Sequence, residues 1–279
     1  MQSDRKTPLW ILITVTLAAF VWLIPVIWMF SLSLQPNELL SRTTANTLLG
    51  LVPWPFTLEN FQAILAIGDT PRWFLNSMIV AGLSTALVLV TSTLAGYAFA
   101  RVPFRGRNIV YPLVLAGLMV PEQVVFIPLY VFFSDLGAHN TLPTLALPRV
   151  ALPIGVFLMT QFFKDIPMSL EEAARLEGCG HGRIFWSIML PLAGPMLMTL
   201  AIITFLYSWN DYLWPLVSAQ QREVFTITVG LAKIQGNFAQ SQGLGQLMAS
   251  GVLASLPVIA LFLIFQKYIL RGIALSTDK

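Results

Sequence analysis

Long uncharged apolar runs, separated by short polar segments, set the plan of this chain. Leu9–Leu34 and Trp73–Ala100 carry no charged residue. Asn108–Phe133 is broken only by Glu122, and Thr141–Phe163 by Arg149 and three prolines. Pro191–Val217 holds one acid, Asp211, and Leu247–Leu270 is uncharged until Lys267. A bilayer core about 30 Å thick takes about 20 apolar residues in a helix, and each of the six runs meets that length. Open sheets cannot cross lipid, because their edge amides would go unpaired. The pattern therefore predicts an all-α integral membrane protein of six transmembrane helices. The first run, 26 residues long, far exceeds the apolar core of a signal peptide and reads as an uncleaved anchor.

Composition supports this plan. Of 279 residues, 56% are hydrophobic and only 10% charged, too few to hydrate a soluble surface and too apolar for a disordered chain. The net charge of +3 gives no argument for nucleic acid. One cysteine, Cys179, excludes an intrachain disulfide framework, and two distant histidines, His139 and His181, give no zinc pattern.

Basic residues favour the cytoplasmic side of short loops. With the N-terminus inside, eleven fall inside (Arg5, Lys6, Arg101, Arg105, Arg107, Lys164, Arg175, Arg183, Lys267, Arg271, Lys279) and four outside (Arg42, Arg72, Arg222, Lys233). Both termini are therefore expected in the cytoplasm: residues 1–8 form a cytoplasmic tail, and 9–279 one transmembrane domain. Gln35–Arg72 is the longest outside loop, with Leu58–Ile67 as a short interfacial helix. Arg101–Arg107 is a tight inside loop, Asp135–Asn140 a short outside one, and Ser218–Gln246 an outside loop rich in Gln and Gly. Lys164–Leu190 lies inside and is the most charged stretch. No phosphate-binding G-x-x-x-x-G-K-[ST], and no hydrolase or metalloprotease motif, occurs. An energy source, if one is used, lies in another subunit or an ion gradient.

Within Lys164–Leu190, Ser169 and Glu172 have the spacing of a capping box. Glu171 and Arg175 form an i,i+4 pair in the favourable order, and Gly178 suits a left-handed helix end. Leu170, Ala173 and Ala174 share a small apolar face. The spacing predicts a helix of about two turns, near 12 Å long, followed by a second helical stretch over Arg183–Met189. Such a helix either joins two spans or inserts into a groove on a partner.

Glu172-Ala173-Ala174, three residues, Gly178, nine residues, then Ile188-Met189-Leu190-Pro191 resembles the EAA loop of ABC importer permeases, EAA-x3-G-x9-I-x-LP. Glu177 and Cys179 stand where that family often has Asp and Ala. Arg101-Val102-Pro103-Phe104-Arg105-Gly106, Gln161-Phe162-Phe163, Ile166-Pro167, Trp209-Asn210-Asp211-Tyr212-Leu213-Trp214-Pro215-Leu216 and Phe265-Gln266-Lys267-Tyr268 to Arg271-Gly272 are similar to the carbohydrate-type, MalG-like branch. The resemblance implies the type I ABC importer permease fold in a bacterial or archaeal plasma membrane, and a half-transporter for a sugar or sugar-like polyol or glycoside. Its partners would be a second, MalF-like permease, two ABC ATPase subunits and an extracytoplasmic solute-binding protein. ATP and Mg would be bound by the ATPase subunits, with no cofactor in this chain.

For the coupling site the resemblance names Glu172, Ala173, Ala174 and Gly178, with Ser169 and Arg175 beside them; Glu172 can act as cap, ATPase contact or both. Glu122 with Gln123, inside an apolar run, reads either as a paired or protonated contact between helices or as part of a solute path. Trp209, Asn210, Asp211 and Tyr212 fit sugar stacking or an interfacial aromatic belt. Arg149 is expected to snorkel to the outer interface. Prolines 121, 128, 143, 148 and 153 predict bent helices, around a path or as simple kinks. The alternative from another class is an ion-coupled carrier or channel using Glu122 and Asp211. A membrane enzyme lacks a recognisable catalytic set.

Overall fold

The structure, a computed structural model, describes residues 8–43, 55–66, 69–241 and 243–277. Residues 1–7, including Arg5 and Lys6, and Lys279 lie outside the described residues, as do the side chains of Lys267 and Arg271. Every regular element among the described residues is helical: α1 Leu9–Ser33, α2 Asn37–Thr43, α3 Glu59–Ala66, α4 Thr70–Arg101, α5 Arg107–Ala116, α6 Glu122–Asp135, α7 Leu142–Ala146, α8 Pro153–Asp165, α9 Met168–Leu176, α10 His181–Ile184, α11 Leu190–Leu192, α12 Gly194–Trp209, α13 Leu213–Ser218, α14 Ile227–Ser241 and α15 Leu244–Thr277.

Three helical stretches are each long and apolar enough to cross a bilayer: Leu9–Ser33, Thr70–Arg101 and Leu244–Gln266. The other three apolar runs are broken. Arg107–Met119 and Glu122–Asp135 meet at 101°, Leu142–Arg149 and Pro153–Asp165 at 50°, and His181–Leu192 and Gly194–Trp209 at 73°. By length and apolar character the described residues thus hold three helices able to cross a bilayer, or up to six if each bent pair is one span. The residue before a proline is driven out of the α region, and Val120 and Leu152, ahead of Pro121 and Pro153, are extended with ψ 115° and 104°. At the third break Ala193, with ψ 0°, precedes Gly194-Pro195.

Other boundaries also move. The fifth apolar run stops as a helix at Trp209 and resumes only at α13. Ser218–Gln246, expected as a loop, contains the 15-residue α14. Arg183–Met189 is helical but passes through a π-helical turn at Phe185–Met189. A short helix, expected at Leu58–Ile67, is seen as α3, with Ile67 outside the described residues.

The fold divides into two compact units, residues 1–71 with 230–256, and 72–229 with 257–279. In the first, α1 leaves nearly all residues from Leu9 to Ile27 exposed and buries only its last turn, Ser31–Ser33. Asn60 ties that turn down: its Nδ2 donates to the carbonyls of Ser33 at 2.9 Å and Gln35 at 2.8 Å. Asn37 Nδ2 donates to Asn60 Oδ1, and Asn37 Oδ1 accepts from the Gly245 amide.

In the second unit α4 is the backbone of the packing. Trp73 Nε1 donates to the Arg222 carbonyl, Asn76 Nδ2 to those of Glu223 and Phe225, and Ser77 Oγ accepts from the Ile227 amide. These bonds hold the segment ahead of α14 against the start of α4. Further along, Val88 and Tyr97 enter a buried cluster with Met159, Phe163, Ala174, Ile184, Phe185, Met189 and Leu200. Two glycines let α8 approach its neighbours closely. A Cβ at Gly96 would lie 2.5 Å from Met159 Cβ and 3.0 Å from its carbonyl carbon, and one at Gly155 would lie 2.4 Å from Ser92 Oγ. Gly96→Ala removes a helix-interior glycine, a gain near 1 kcal/mol, but must push backbone from backbone, at about 1–3 kcal/mol. We expect a net loss of stability, read as a lower unfolding midpoint in detergent, whereas a raised midpoint would show that the crossing yields.

Candidate functional site

The Lys164–Leu190 segment folds as its spacing predicts in part. The helix α9 starts at Met168, one residue ahead of the expected cap. Pro167 occupies the N-cap position and no side chain caps the helix, so the Ser169–Glu172 capping box does not form. The proline permits this start because an N-terminal helix position needs no amide donor, and Ser169 falls inside the first turn. The other end matches expectation. Gly178 has φ +81°, its amide donates to Arg175 O at 2.9 Å, and the Cys179 amide donates to Ala174 O at 3.0 Å. This is the full Schellman pattern.

The expected apolar face is split. Ala174 is buried in the core cluster and Glu171 is fully buried beside it, whereas Leu170, Ala173 and Glu172 are exposed. Leu176 is 91% exposed. One side of α9 is therefore anchored and the other presents Met168, Leu170, Ala173 and Leu176 outward. The Glu171–Arg175 pair is present at 3.5 Å.

One partner of Glu171 has no local signal in the sequence. Arg101, the last residue of α4, lies 3.7 Å from Glu171 Oε1 with a side chain only 6% exposed. Its Nε donates to Phe163 O at 2.9 Å, Nη2 to Phe163 O and Ile166 O, and Nη1 meets Met168 Sδ.

A second cluster forms where the broken helices meet. Asp211 lies in the break between α12 and α13, and Glu122 in the first turn of α6, where the helix dipole favours a carboxylate. Arg149 joins them: its Nη2 lies 3.1 Å from Asp211 Oδ2 and 3.9 Å from Glu122 Oε2. The guanidinium stacks over Tyr207 at 4.4 Å, and its Nη1 donates to the Tyr207 carbonyl at 3.1 Å. Arg149 is thus an ion-paired residue and does not snorkel. Burial makes this the favourable outcome, since its side chain is only 13% exposed and an unpaired charge there is costly.

The cluster lines an open cavity of about 600 Å³ with Leu206, Asn210 and Tyr212. Of the residues singled out in sequence, the cavity gathers Glu122, Asn210, Asp211 and Tyr212. Gln123 is exposed and does not line it. Trp209 is buried in ring contacts with Phe74 and Phe205 and does not line it either. Arg149, expected at the outer interface and not in a solute path, and Tyr207, not singled out in the sequence, also line the cavity. Carboxylates, amide and phenols in one open cavity offer acceptors and donors for hydroxyl groups, and the tyrosine rings offer apolar faces.

Comparison with known proteins identifies the class. Residues 89–275 match the model of the family described as "binding-protein-dependent transport system inner membrane component". The chain is 35% identical over 94% of its length, and 92% of the relative's, to the arabinooligosaccharides transport system permease protein AraQ of Halalkalibacterium halodurans. It is 32% identical to the trehalose/maltose transport system permease protein MalG of Thermococcus litoralis, over 100% of this chain and 99% of that one. It is 30% identical to the trehalose transport system permease protein SugB of Mycobacterium tuberculosis, over 100% of both chains. Its fold is similar to a chain of a bacterial ABC transporter involved in the import of the acidic polysaccharide alginate, with TM-score 0.75, 22% identity, and 96% and 98% of the two chains covered.

The chain belongs to the binding-protein-dependent transport system inner membrane component family. It is a membrane permease of an ABC importer, a part of a multi-subunit complex and not itself an enzyme. The ion-coupled carrier alternative is set aside on this ground.

Proposed function

We propose that this permease forms half of the translocation path for a sugar or sugar-like polyol or glycoside, and that α9 is its docking element for an ABC ATPase subunit. The observation that carries the docking reading is the split character of α9: anchored by Glu171 and Ala174, exposed along Met168, Leu170, Ala173 and Leu176. A short helix whose outward side carries these apolar residues beside the exposed Ser169 and Glu172 suits a groove on a partner. Each bent pair then serves as one of six spans, with both termini and Lys164–Leu190 in the cytoplasm, as the basic residues indicate. A second, MalF-like permease completes the path, two ATPase subunits bind ATP and Mg, and an extracytoplasmic binding protein delivers the solute.

The sugar class rests on the relatives named for arabinooligosaccharides, trehalose and maltose and on the hydroxyl-matching cavity at Glu122, Asn210, Asp211 and Tyr212. Closure of the ATPase dimer would displace Lys164–Leu190, and the spans above it would reopen the outer side.

Two measurements test this. Coexpression with an ABC ATPase subunit and the second permease is expected to yield a complex that survives purification. Proteoliposomes of the full complex with its binding protein are expected to take up at least one of arabinotriose, trehalose or maltose, dependent on ATP. A permease that retains no ATPase refutes the docking reading. Uptake of none of the three sugars counts against the solute class.

A further inference from the structure

The docking reading leaves open how a push on α9 reaches the membrane. Pro167, with φ −55° and ψ 132°, separates α8 from α9 without a capping side chain, so by itself this joint would absorb displacement. The guanidinium of Arg101 spans the joint. It holds the carbonyls of Phe163, in the last turn of α8, and of Ile166, just before the joint. It touches Met168 at the start of α9 and faces the fully buried carboxylate of Glu171. Its own backbone closes α4, a continuous helix of 32 residues. One buried side chain thus ties three helix ends together. Arginine suits this task because its planar fork binds several acceptors in fixed geometry.

We propose that Arg101 is a positioning residue that makes α9, the end of α8 and α4 one rigid body, so that displacement of α9 moves α4 as a whole. This rests on the proposed docking role of α9. Arg101 is buried behind that helix and is not placed in contact with the ATPase. The role is coupling: without the clamp, ATP hydrolysis would continue while the motion is dissipated at Pro167.

The test uses the full complex in proteoliposomes, with arabinotriose, trehalose and maltose as probes and uptake per ATP hydrolysed as the readout. Arg101→Gln is expected to retain its ATPase subunits and to hydrolyse ATP, while uptake per ATP falls about tenfold, within the range of coupling mutations. Arg101→Lys, which keeps the charge but loses the fork, should fall between. A residue of merely structural importance would lower assembly, hydrolysis and uptake together and leave their ratio unchanged, and that result overturns the proposal.

Should Arg101→Gln fail to assemble, the full-length permease alone in nanodiscs still decides. Spin labels at Arg105→Cys and Glu177→Cys in a Cys179→Ser background are expected to give a narrow distance distribution that broadens on Arg101→Gln. An unchanged distribution overturns the clamp. A wild-type permease that binds no ATPase refutes the docking reading and the coupling role with it. A wild-type that binds ATPase while Arg101→Gln keeps full uptake per ATP refutes the coupling role alone.

Discussion

The pair of substitutions Leu170→Asp and Leu176→Lys is expected to release the ATPase subunits while leaving the permease folded. Both leucines lie on the outward side of α9, Leu176 being 91% exposed, so neither contributes much to the stability of the isolated chain. The charges are chosen to suit the helix: an acid in the first turn and a base in the last both favour the macrodipole. What the substitutions remove is apolar area available to a partner. Full burial of a leucine is worth about 1.5–3 kcal/mol. Loss of two such contacts should weaken association by about 3 kcal/mol, or roughly a hundredfold. Copurification of the ATPase subunits from the coexpressed complex measures this, with the unfolding midpoint of the permease as control. Glu172→Gln, which alters one exposed charge, should cost less than tenfold. If the leucine pair leaves the complex intact, α9 is not the docking element.

The sequence singles out both regions but not their internal wiring, for a physical reason. Spacing reports what lies within a few residues. The Glu171–Arg175 pair and the left-handed Gly178 are local features, and both are present. The capping box was also a local expectation and fails, because Pro167 allows α9 to start one residue early and carries Ser169 inside the helix. The two arginine centres are long-range. Arg101 and Glu171 are 70 positions apart, and Arg149 and Asp211 are 62, so no periodicity joins them. A usable hint existed in each case, since a charge inside or ending an apolar run needs a partner. Hydropathy likewise located the six apolar runs but not their breaks. A run of apolar residues scores alike whether straight or bent, whereas Pro121, Pro153 and the Gly194-Pro195 pair decide the geometry.

Removal of the cation at the second centre is expected to be among the most damaging single changes in the chain. Arg149→Gln leaves Asp211, whose side chain is only 9% exposed, without a counter-ion and with Glu122 nearby. Breaking a buried pair by deleting one partner costs about 3–5 kcal/mol, because the remaining charge stays desolvated. Glu122 is 45% exposed and can be hydrated from the cavity, so the expected loss lies near the lower end, about 3 kcal/mol. The double change Arg149→Gln with Asp211→Asn removes both buried charges and should recover more than half of it. The cycle of single and double variants, followed by unfolding midpoints in detergent, isolates this coupling. Equal destabilisation of Arg149→Gln and the double variant would show instead that Arg149 acts through Tyr207, over whose ring it stacks. Stability and transport should then separate. A double variant that folds but lacks these charges has lost acceptors from the cavity. If the cavity contacts the solute, uptake stays low although the fold is restored; if the pair only braces the broken helices, uptake returns with stability.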